Sequence, residues 1–449
     1  MRSILSVGLA ITLVAACGSN KNGGDDTDGG NQPADACVGL ECQVVNCAAM
    51  GQQPTALTGT VFAPNGTLPL YGITVYIPLN DPGVPSDTLE CDRCSTSLPG
   101  GAVAQATSGE DGKFRLENVP VGDNIPLVIK SGKWQRKITF PRVDQCVDTP
   151  LVAADTSLPK TKAEGNIPKI AVTTGNADAL ECLVRKLGLE GEMTTNGGAG
   201  RIHLYVGNGV NKIGATTMAD ATTLWSTDTT LKNYDIVILS CEGGQRPATK
   251  PQTTLDAMKA YADAGGRVFA SHWHNIWVGG NFQNNPNLAP AVWKDIATWS
   301  AQDGNPGEPV LIDEVSNPKG TSFANWMVNV GGSGPMTTPT ATMRGQISLQ
   351  AAGRRMTART LDTTKAERWV YANNAMMTPQ NFQFTTPNEV SLDNRCGKVV
   401  FSDMHVAADS TSPSNGTFPN SCSNGALTPQ EKALAFMFFD IASCVGGIF

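Results

Sequence analysis

The sequence predicts two structured domains in one chain: a β-sandwich, followed by an α/β domain with a doubly wound parallel sheet and a long insert. Gly and Pro are abundant, at 47 and 28 of the 449 residues, which favours strands and turns over helical bundles. Between residues 37 and 150, short β-branched and aromatic segments alternate with turn residues. From residue 168 onward, apolar strand-like segments alternate with helical periodicities, as in parallel sheets covered by helices.

The composition excludes several classes of protein. Hydrophobic residues make up 40% of the chain, which is too many for a disordered protein. The formal net charge of −7 argues against a nucleic-acid partner. The 12 cysteines are many for an intracellular enzyme and ordinary for an exported protein.

Residues 1–16 have the pattern of a signal peptide. Arg2 precedes an apolar run that is too short to cross a bilayer, and small residues then lead to Cys17. The segment resembles the signals of bacterial lipoproteins, which implies cleavage before Cys17 and a lipid on its sulfur. An ordinary secretory signal with a chance cysteine is the alternative. Residues 17–36 are predicted to be a flexible tether.

The lipid would be the membrane partner of this chain, because no later run of apolar residues is long enough to span a bilayer. Gly18, rather than an aspartate, follows Cys17. By the sorting rule of enteric bacteria, this favours an outer-membrane lipoprotein that faces the periplasm or the cell surface.

The first structured domain is predicted at residues 37–150, where turns such as Pro64-Asn65-Gly66 separate the strands. The predicted strands are residues 58–62, 73–77, 113–116, 127–130 and 134–140. Short strands at this spacing are typical of a β-sandwich.

Two stretches of this domain resemble the carboxypeptidase regulatory-like domain, which is a prealbumin-like sandwich. They are TGTVFAPNGTLPLYGITVYIP and AQATSGEDGKFRLENVPVGDNIPLVI, and the DGKF and VPVG motifs carry the match. The resemblance implies a non-catalytic module that binds carbohydrate or spaces other domains. A cysteine-rich insert at residues 81–101 departs from the family pattern.

Residues 151–167 show no periodicity and are predicted to be a linker, so the α/β domain is predicted to span residues 168–449. The predicted strands are residues 169–173, 201–206, 235–240, 268–271 and 399–402. A capping box from Thr428 to Glu431 predicts the start of the last helix. The segment from about residue 275 to 395 is expected to interrupt the sheet as an insert.

Three stretches of the second domain resemble the class I glutamine amidotransferases, and within them the trehalose-utilisation (ThuA-like) proteins. They are YDIVILSCEGGQ, LDAMKAYADAGGRVFASHWH and GKVVFSDMH. The resemblance implies a flavodoxin-like parallel sheet. Amidotransferases have their nucleophilic cysteine where this chain has His272, as ThuA-like proteins do, so the resemblance argues against glutamine hydrolysis.

Two metallopeptidase motifs are absent. The chain contains no His-Glu-x-x-His and no His-x-x-Glu sequence. It is therefore predicted to be neither a zincin nor a zinc carboxypeptidase.

Three of the four histidines fall in two short motifs, each directly after a predicted parallel strand. Ligands of such sheets bind beyond the carboxyl ends of the strands, so His272, His274, Asp403 and His405 are expected to converge. We predict that the side-chain nitrogens of His272 and His405 lie within about 8 Å of each other. His274 is expected nearby, with the alternative that it turns aside, because the backbone after a strand need not stay extended. Glu242 follows the neighbouring strand and is a candidate base.

The chemistry of this cluster stays open between two interpretations. Imidazole and carboxylate ligands suit Zn²⁺ or another divalent metal, with His272, His274, Asp403 and His405 as the ligand set. Alternatively, the histidines form hydrogen bonds that cap strand ends in a polar cleft. His203 lies inside a predicted strand and is expected to be structural.

Tryptophans cluster in the predicted insert, with five of the eight between Trp273 and Trp326. Trp273 and Trp277 are candidates for a glycan-binding groove beside His274, because indole faces stack on sugar rings. Packing in the core of the insert is the alternative that the sequence favours.

Cysteine parity predicts five disulfides and one free thiol once Cys17 carries a lipid. Six cysteines then lie in the first domain and five in the second, so without a bridge across the linker the free thiol lies in the second domain. Cys182 is predicted to pair, and Cys241 is the candidate for the free thiol. A buried apolar role for Cys241 is favoured over a nucleophile beside Glu242.

Two functions from different classes fit these observations. The first is a lipid-anchored exported protein that binds carbohydrate or cell-envelope ligands. The alternative is a hydrolase or isomerase of carbohydrate-like substrates, with His272 and His405 as catalytic groups and a possible metal. A cluster of the histidines would favour the enzyme, and a shallow Trp-lined groove would favour the binding protein.

Overall fold

The computed structural model describes residues 39–94, 97–282, 288–334, 343–406 and 413–446. The predicted signal peptide, the tether and the lipidation site Cys17 lie outside the described residues. The chain from Gly39 onward forms one compact unit, a β-rich protein with several sheets and some helices. No helix in the described part of the chain is long and apolar enough to cross a membrane.

The first part of the unit contains two small sheets, with strand orders β4-β1-β7 and β3-β2-β5-β6. The strands are β1 (Ala56–Thr60), β2 (Thr74–Pro78), β3 (Ala102–Thr107), β4 (Lys113–Glu117), β5 (Gly122–Ser131), β6 (Trp134–Val143) and β7 (Asp148–Pro150). Alternate residues such as Phe114 and Leu116 are buried, as expected where one face of a sheet covers a core. This arrangement is compatible with the predicted β-sandwich.

The segment predicted as a linker, residues 151–167, is folded against these sheets. It contains the short helix α1 (Ala153–Thr156), and the Thr156 hydroxyl donates to the carbonyl of Thr60 at 2.6 Å. Leu158 is only 1% exposed. The segment lacks periodicity because isolated side chains, rather than a regular face, make these contacts.

The second part is built on a ten-stranded sheet of order β17-β16-β19-β20-β21-β14-β13-β8-β10-β9. The remaining strands of the chain are β8 (Ile170–Thr174), β9 (Met193–Thr195), β10 (Ile202–Val206), β11 (Lys212–Ile213), β12 (Thr216–Thr217), β13 (Ile236–Leu239), β14 (Arg267–Ser271), β15 (Ala297–Trp299), β16 (Val310–Ile312), β17 (Gln346–Ile347), β18 (Ala358–Leu361), β19 (Glu367–Ala372), β20 (Pro379–Thr386), β21 (Gly397–Ser402) and β22 (Thr417–Phe418). The six strands from β21 to β9 in this order are all parallel. Their apolar runs, such as Ile236–Leu239, are buried along their whole length.

The segment predicted as an interrupting insert instead extends the same sheet. β20 pairs with β21 in antiparallel register, and β19, β16 and β17 follow as further antiparallel strands. β20 has the sequence PQNFQFTT, and its buried residues include Gln380 and Asn381. A strand with so many polar residues does not show the apolar run by which buried strands are recognised.

The other α-helices of the described residues lie in the second part of the unit. They are α2 (Leu180–Val184), α3 (Thr222–Trp225), α4 (Asp228–Leu231), α5 (Gln252–Asp263), α6 (Ile276–Gly279), α7 (Ala291–Lys294), α8 (Gly320–Asn329) and α9 (Pro429–Ile441). The predicted capping box is present at the start of α9, where the Thr428 side chain accepts from the backbone N–H of Glu431. α9 packs on β14 and β21, and its Phe438 and Phe439 contact Trp134 of the first part.

The disulfides confirm part of the cysteine analysis and correct one premise. Cys42 is disulfide-bonded, and four complete pairs are described: Cys47–Cys146, Cys91–Cys396, Cys94–Cys444 and Cys182–Cys422. Two of these bridges cross the predicted linker, so the premise of separate pairing was wrong. Each of these two bridges uses one cysteine from either side of the predicted linker. An even number of cysteines therefore remains before the linker and an odd number after it, so a free thiol is still expected in the second part. Cys241 is the free cysteine of the described residues, as predicted.

Candidate active site

Three reactive side chains follow three neighbouring parallel strands. Cys241 comes shortly after β13, His272 directly after β14, and His405 shortly after β21. Because these strands are adjacent and parallel, their carboxyl ends lie at the same edge of the sheet. The side chains of all three residues are buried.

His272 lies at the centre of this cluster. Its Nδ1 is 3.4 Å from the Sγ of Cys241, and its Nε2 is 3.3 Å from an oxygen of Asp303. The second contact is an ion pair rather than a well-aligned hydrogen bond. The backbone of His272 has a φ of +46°, in the left-handed region that residues with a side chain rarely adopt. Such conformations concentrate at functional sites, where the surrounding structure enforces them.

The surroundings of His272 favour its charged form. Burial alone would lower the pKa of His272, but Asp303 and Cys241 act against burial and raise it to about 10. For Asp303, burial would raise the pKa, and the contacts with His272 bring it below its usual value. The site therefore combines the imidazolium of His272 with a carboxylate on one side and the sulfur of Cys241 on the other.

His405 completes the cluster from the other side. The centroids of the His405 and His272 rings are 4.9 Å apart, in agreement with the predicted proximity of the two residues. The backbone of Ala177 lies near the His405 ring, but neither ring nitrogen has a well-formed hydrogen bond within the described residues. Burial lowers the pKa of His405 well below its usual value, so this imidazole is neutral. Ligand atoms of Cys241, His272 and His405 all lie within 4.8 Å of one another.

His274, expected in the cluster, lies outside it. After His272 the chain enters a 3-10 helical turn, so residues two apart no longer point the same way. The Nε2 of His274 is 2.9 Å from the carbonyl of Ser240, and its Nδ1 accepts from the indole N–H of Trp277 at 2.8 Å. Both ring nitrogens therefore have hydrogen-bond partners, and the side chain has no nitrogen left to bind a metal or a ligand.

Asp403 lies near enough to interact electrostatically with His272, but it is not one of the three residues whose ligand atoms come together. One carboxylate oxygen accepts from the backbone N–H groups of Thr357 and Ala358 at 2.8 and 2.9 Å, and the other accepts from the Thr357 hydroxyl. These bonds attach β18 to the end of β21. Asp403 therefore has a structural role here and does not match the predicted role as a ligand.

Glu242 forms a buried ion pair with a lysine. Its carboxylate is 2.5 Å from the ammonium of Lys250, and the two side chains are 3% and 1% exposed. The ammonium also lies 5.0 Å from the ring centroid of Trp225. A carboxylate held in this way does not fit the predicted role as a base.

The tryptophans mostly pack in the core, as the alternative to a glycan groove expected. Trp277, Trp293 and Trp326 are at most 1% exposed. Trp273 is half-buried and lies against the His272 ring at a centroid distance of 4.9 Å. His203, expected to be structural, is hydrogen-bonded to the Tyr234 hydroxyl at 2.8 Å.

Asp303 and Asp178 are two site residues that were not predicted from the sequence. Asp303 lies in an irregular segment with no motif around it. Asp178 is buried behind the site, where one carboxylate oxygen accepts from the Ser271 hydroxyl at 2.6 Å and the other from the backbone N–H of Val406 at 2.7 Å. It thereby joins the residue before His272 to the residue after His405.

Asp178→Asn is expected to change the pH dependence of stability. Burial raises the pKa of Asp178 to about 6, so between pH 4 and 6 the folded protein holds a proton that the unfolded chain releases. Its contribution to the free energy of unfolding therefore falls as the pH rises through this window, by at most about 3 kcal/mol. Urea unfolding at pH 4 and pH 7 should show a smaller decrease for Asp178→Asn than for the wild type.

The matched control for this prediction is Asp123→Asn, because the Asp123 side chain is 65% exposed. This variant should follow the wild-type pH profile. Equal pH profiles for Asp178→Asn and the wild type would contradict the prediction.

The comparisons with known proteins identify no family. No family model and no curated protein matches the chain. Among solved structures, the chain is similar to two mutants of the type II cohesin–X-dockerin complex of Acetivibrio cellulolyticus. The C-terminal interface mutant matches at 16% identity over 28% of this chain and 78% of that one, with a TM-score of 0.17. The N-terminal interface mutant matches at 13% identity over 32% and 78%, with a TM-score of 0.15. Similarity at this level supports no argument about fold or function.

Proposed function

We propose that the protein is an exported lipoprotein, anchored through Cys17, that carries a thiol-dependent hydrolase centre. Cys241 is the nucleophile, His272 the acid and base, and Asp303 the group that orients His272. The observation that carries this proposal is the distance of 3.4 Å between Cys241 Sγ and His272 Nδ1, with Asp303 3.3 Å from the other ring nitrogen. A nucleophile, a base within reach and a third group behind the base form the arrangement of covalent hydrolases.

The proposed reaction is acyl transfer in two steps. The thiol proton resides on His272, and the thiolate of Cys241 attacks the substrate carbonyl to form a thioester. His272 gives its proton to the leaving oxygen or nitrogen. Water then attacks the thioester while His272 accepts a proton from it, and the thiolate leaves. Asp303 stabilises the imidazolium in both steps.

The surroundings of the thiol favour a small substrate group. Cys241 is fully buried, whereas the Asp303 side chain is 37% exposed. The cluster therefore lies just beneath the surface, with Asp303 at its outer edge. The guanidinium of Arg355 lies 3.4 Å from Asp303 and is 30% exposed at this outer edge. The carbohydrate-like substrate expected from the sequence stays a prediction, because the tryptophans expected to contact it lie mostly in the core.

We also propose the finer fold assignments that the sequence suggested. The first part would be a prealbumin-like carboxypeptidase regulatory-like domain, and the second a flavodoxin-like sheet of the class I amidotransferase type. The six parallel strands support the second assignment. In this proposal the thiol follows β13, one strand away from the position where amidotransferases have theirs, and His272 occupies that position.

Cys241→Ala is expected to lower ester hydrolysis by at least about 100-fold, because covalent catalysis then loses its nucleophile. The measurement is kcat/KM of the full-length protein on p-nitrophenyl esters with acyl groups from acetyl to butyryl. The matched control is His203→Gln, which removes a histidine bonded to Tyr234 outside the cluster and should retain the wild-type rate. Hydrolysis that persists in Cys241→Ala, or that is absent from the wild type for every ester, would refute the proposal.

A further inference from the structure

We propose that Cys241, His272 and His405 together bind a thiophilic transition metal ion such as Zn²⁺, and that the bound ion blocks the thiol. The ligand atoms are the Sγ of Cys241, the Nδ1 of His272 and a ring nitrogen of His405. The regulatory part rests on the proposed hydrolase function, whereas the metal binding does not depend on it.

The distance between the sulfur of Cys241 and the nearer nitrogen of His272 matches tetrahedral coordination. Zn–S bonds of about 2.3 Å and Zn–N bonds of about 2.0–2.1 Å place the sulfur and nitrogen ligands about 3.5 Å apart at a tetrahedral angle. The distance between Cys241 Sγ and His272 Nδ1 is 3.4 Å. Cys241, His272 and His405 each offer one ligand atom within 4.8 Å of the other two, so a small movement of the His405 ring would bring all three to coordination distance of one ion.

The state of His405 favours a bound ion over a catalytic pair formed by Cys241 and His272 alone. Its imidazole is 1% exposed, and neither nitrogen has a well-formed hydrogen bond in the described chain. A buried polar group in this state costs about 1–3 kcal/mol. The proposed acyl transfer gives His405 no role, whereas coordination of an ion would satisfy one of its nitrogens.

Asp303 supplies the support that metal-binding histidines need. A ligating histidine usually donates its second N–H to a carboxylate or a carbonyl, which fixes the tautomer and the ring orientation. The oxygen of Asp303 lies 3.3 Å from His272 Nε2, opposite the nitrogen that faces Cys241. A thiolate and this carboxylate would together balance the two positive charges of the ion.

Binding of the ion would switch off the proposed hydrolase. The ion would occupy Cys241 Sγ and His272 Nδ1, which are the two atoms that acyl transfer requires. The metal-loaded protein is therefore the inactive form, and removal of the ion releases the thiol.

The test is a titration of the metal-free, full-length protein with Co²⁺ and Zn²⁺. We expect one Co²⁺ per chain, a thiolate-to-cobalt charge-transfer band in the near ultraviolet, and displacement of Co²⁺ by Zn²⁺. Cys241→Ser should lose the band, and His405→Leu should weaken the affinity by at least about 100-fold. His203→Gln is the matched control and should bind like the wild type. His405→Asn serves as the second variant if His405→Leu fails to fold by circular dichroism.

The outcomes separate the two proposals. Absence of the band in the wild type, or unchanged affinity in a folded His405 variant, overturns the metal site. Cys241-dependent ester hydrolysis that saturating Zn²⁺ leaves unchanged overturns the regulatory role and leaves the hydrolase standing. A metal site without any Cys241-dependent hydrolysis refutes the hydrolase and leaves the metal site standing.

Discussion

His272→Gln is expected to slow the reaction of Cys241 with iodoacetamide at pH 7 by about 10- to 30-fold, because a thiol with the ordinary pKa of about 8.5 is only a few per cent thiolate at this pH. Glutamine retains a polar side chain of similar size but accepts no proton from the thiol. It also removes the positive charge that Asp303 and Cys241 stabilise on His272. Because Cys241 is the free cysteine of the described chain, the rate of carboxamidomethylation of its peptide, followed by mass spectrometry, reports on this one site.

Two further variants control this experiment. Asp303→Asn retains His272 but removes the charge that orients it, so a smaller loss of rate is expected. His203→Gln should leave the rate unchanged, because His203 contacts Tyr234 on another part of the sheet. If His272→Gln reacts at the wild-type rate, the two residues do not form a proton-transfer pair.

The parallel strands of the second part could be predicted because each is a short, continuous apolar run. The predicted strand at residues 235–240 contains β13 (Ile236–Leu239), and the prediction at 399–402 lies within β21 (Gly397–Ser402). β3 (Ala102–Thr107) was missed because its sequence, AVAQAT, is mostly small residues without an aromatic side chain. β20 was missed because tertiary contacts, not an apolar pattern, bury its amide side chains.

The position of His272 and His405 could be predicted because each follows a parallel strand, and topology alone brings such positions together. The orientation of His274 could not, since it depends on the helical turn that begins at His272. Asp303 reaches the site from an irregular segment 31 residues after His272 in the chain. Contacts of this range leave no periodic or motif signal in a single sequence.

The contacts between the two parts were also beyond a single sequence. Cys91 and Cys94 each pair with a cysteine of the second part, more than 300 residues away in both cases. Trp134 of the first part packs on Phe438 and Phe439 of α9. Neither a Cys-x-x-Cys spacing nor a single aromatic residue specifies its distant partner. Residues 151–167 were predicted to be a linker for the same reason, because their contacts leave no local pattern in the sequence.

A buried ionic cluster at the end of α9 holds the segment after it against the sheet. Asp440 is 8% exposed and contacts the ammonium groups of Lys319 and Lys398 at 2.5 and 3.3 Å. Lys398 also donates to the hydroxyl of Ser443 at 3.0 Å. Burial lowers the pKa of Lys398 to about 8 even though Asp440 acts to raise it. Asp440 thus compensates two charges that have little access to water.

Asp440→Ala is therefore expected to lower the free energy of unfolding by about 3–5 kcal/mol, the usual cost of leaving a buried charge without its partner. The two lysines hold the pKa of Asp440 well below its usual value, although burial would raise it. The stabilisation is thus complete above the pKa of the unfolded chain, about 4, and is lost as the pH falls below it. Urea unfolding followed by tryptophan fluorescence should show the full difference at pH 7 and a smaller one at pH 3. Asp123→Ala, which removes an exposed partner of Arg142, is the matched control and should change little. A loss in Asp440→Ala no greater than in this control would mean that the two lysines do not depend on Asp440 for their burial.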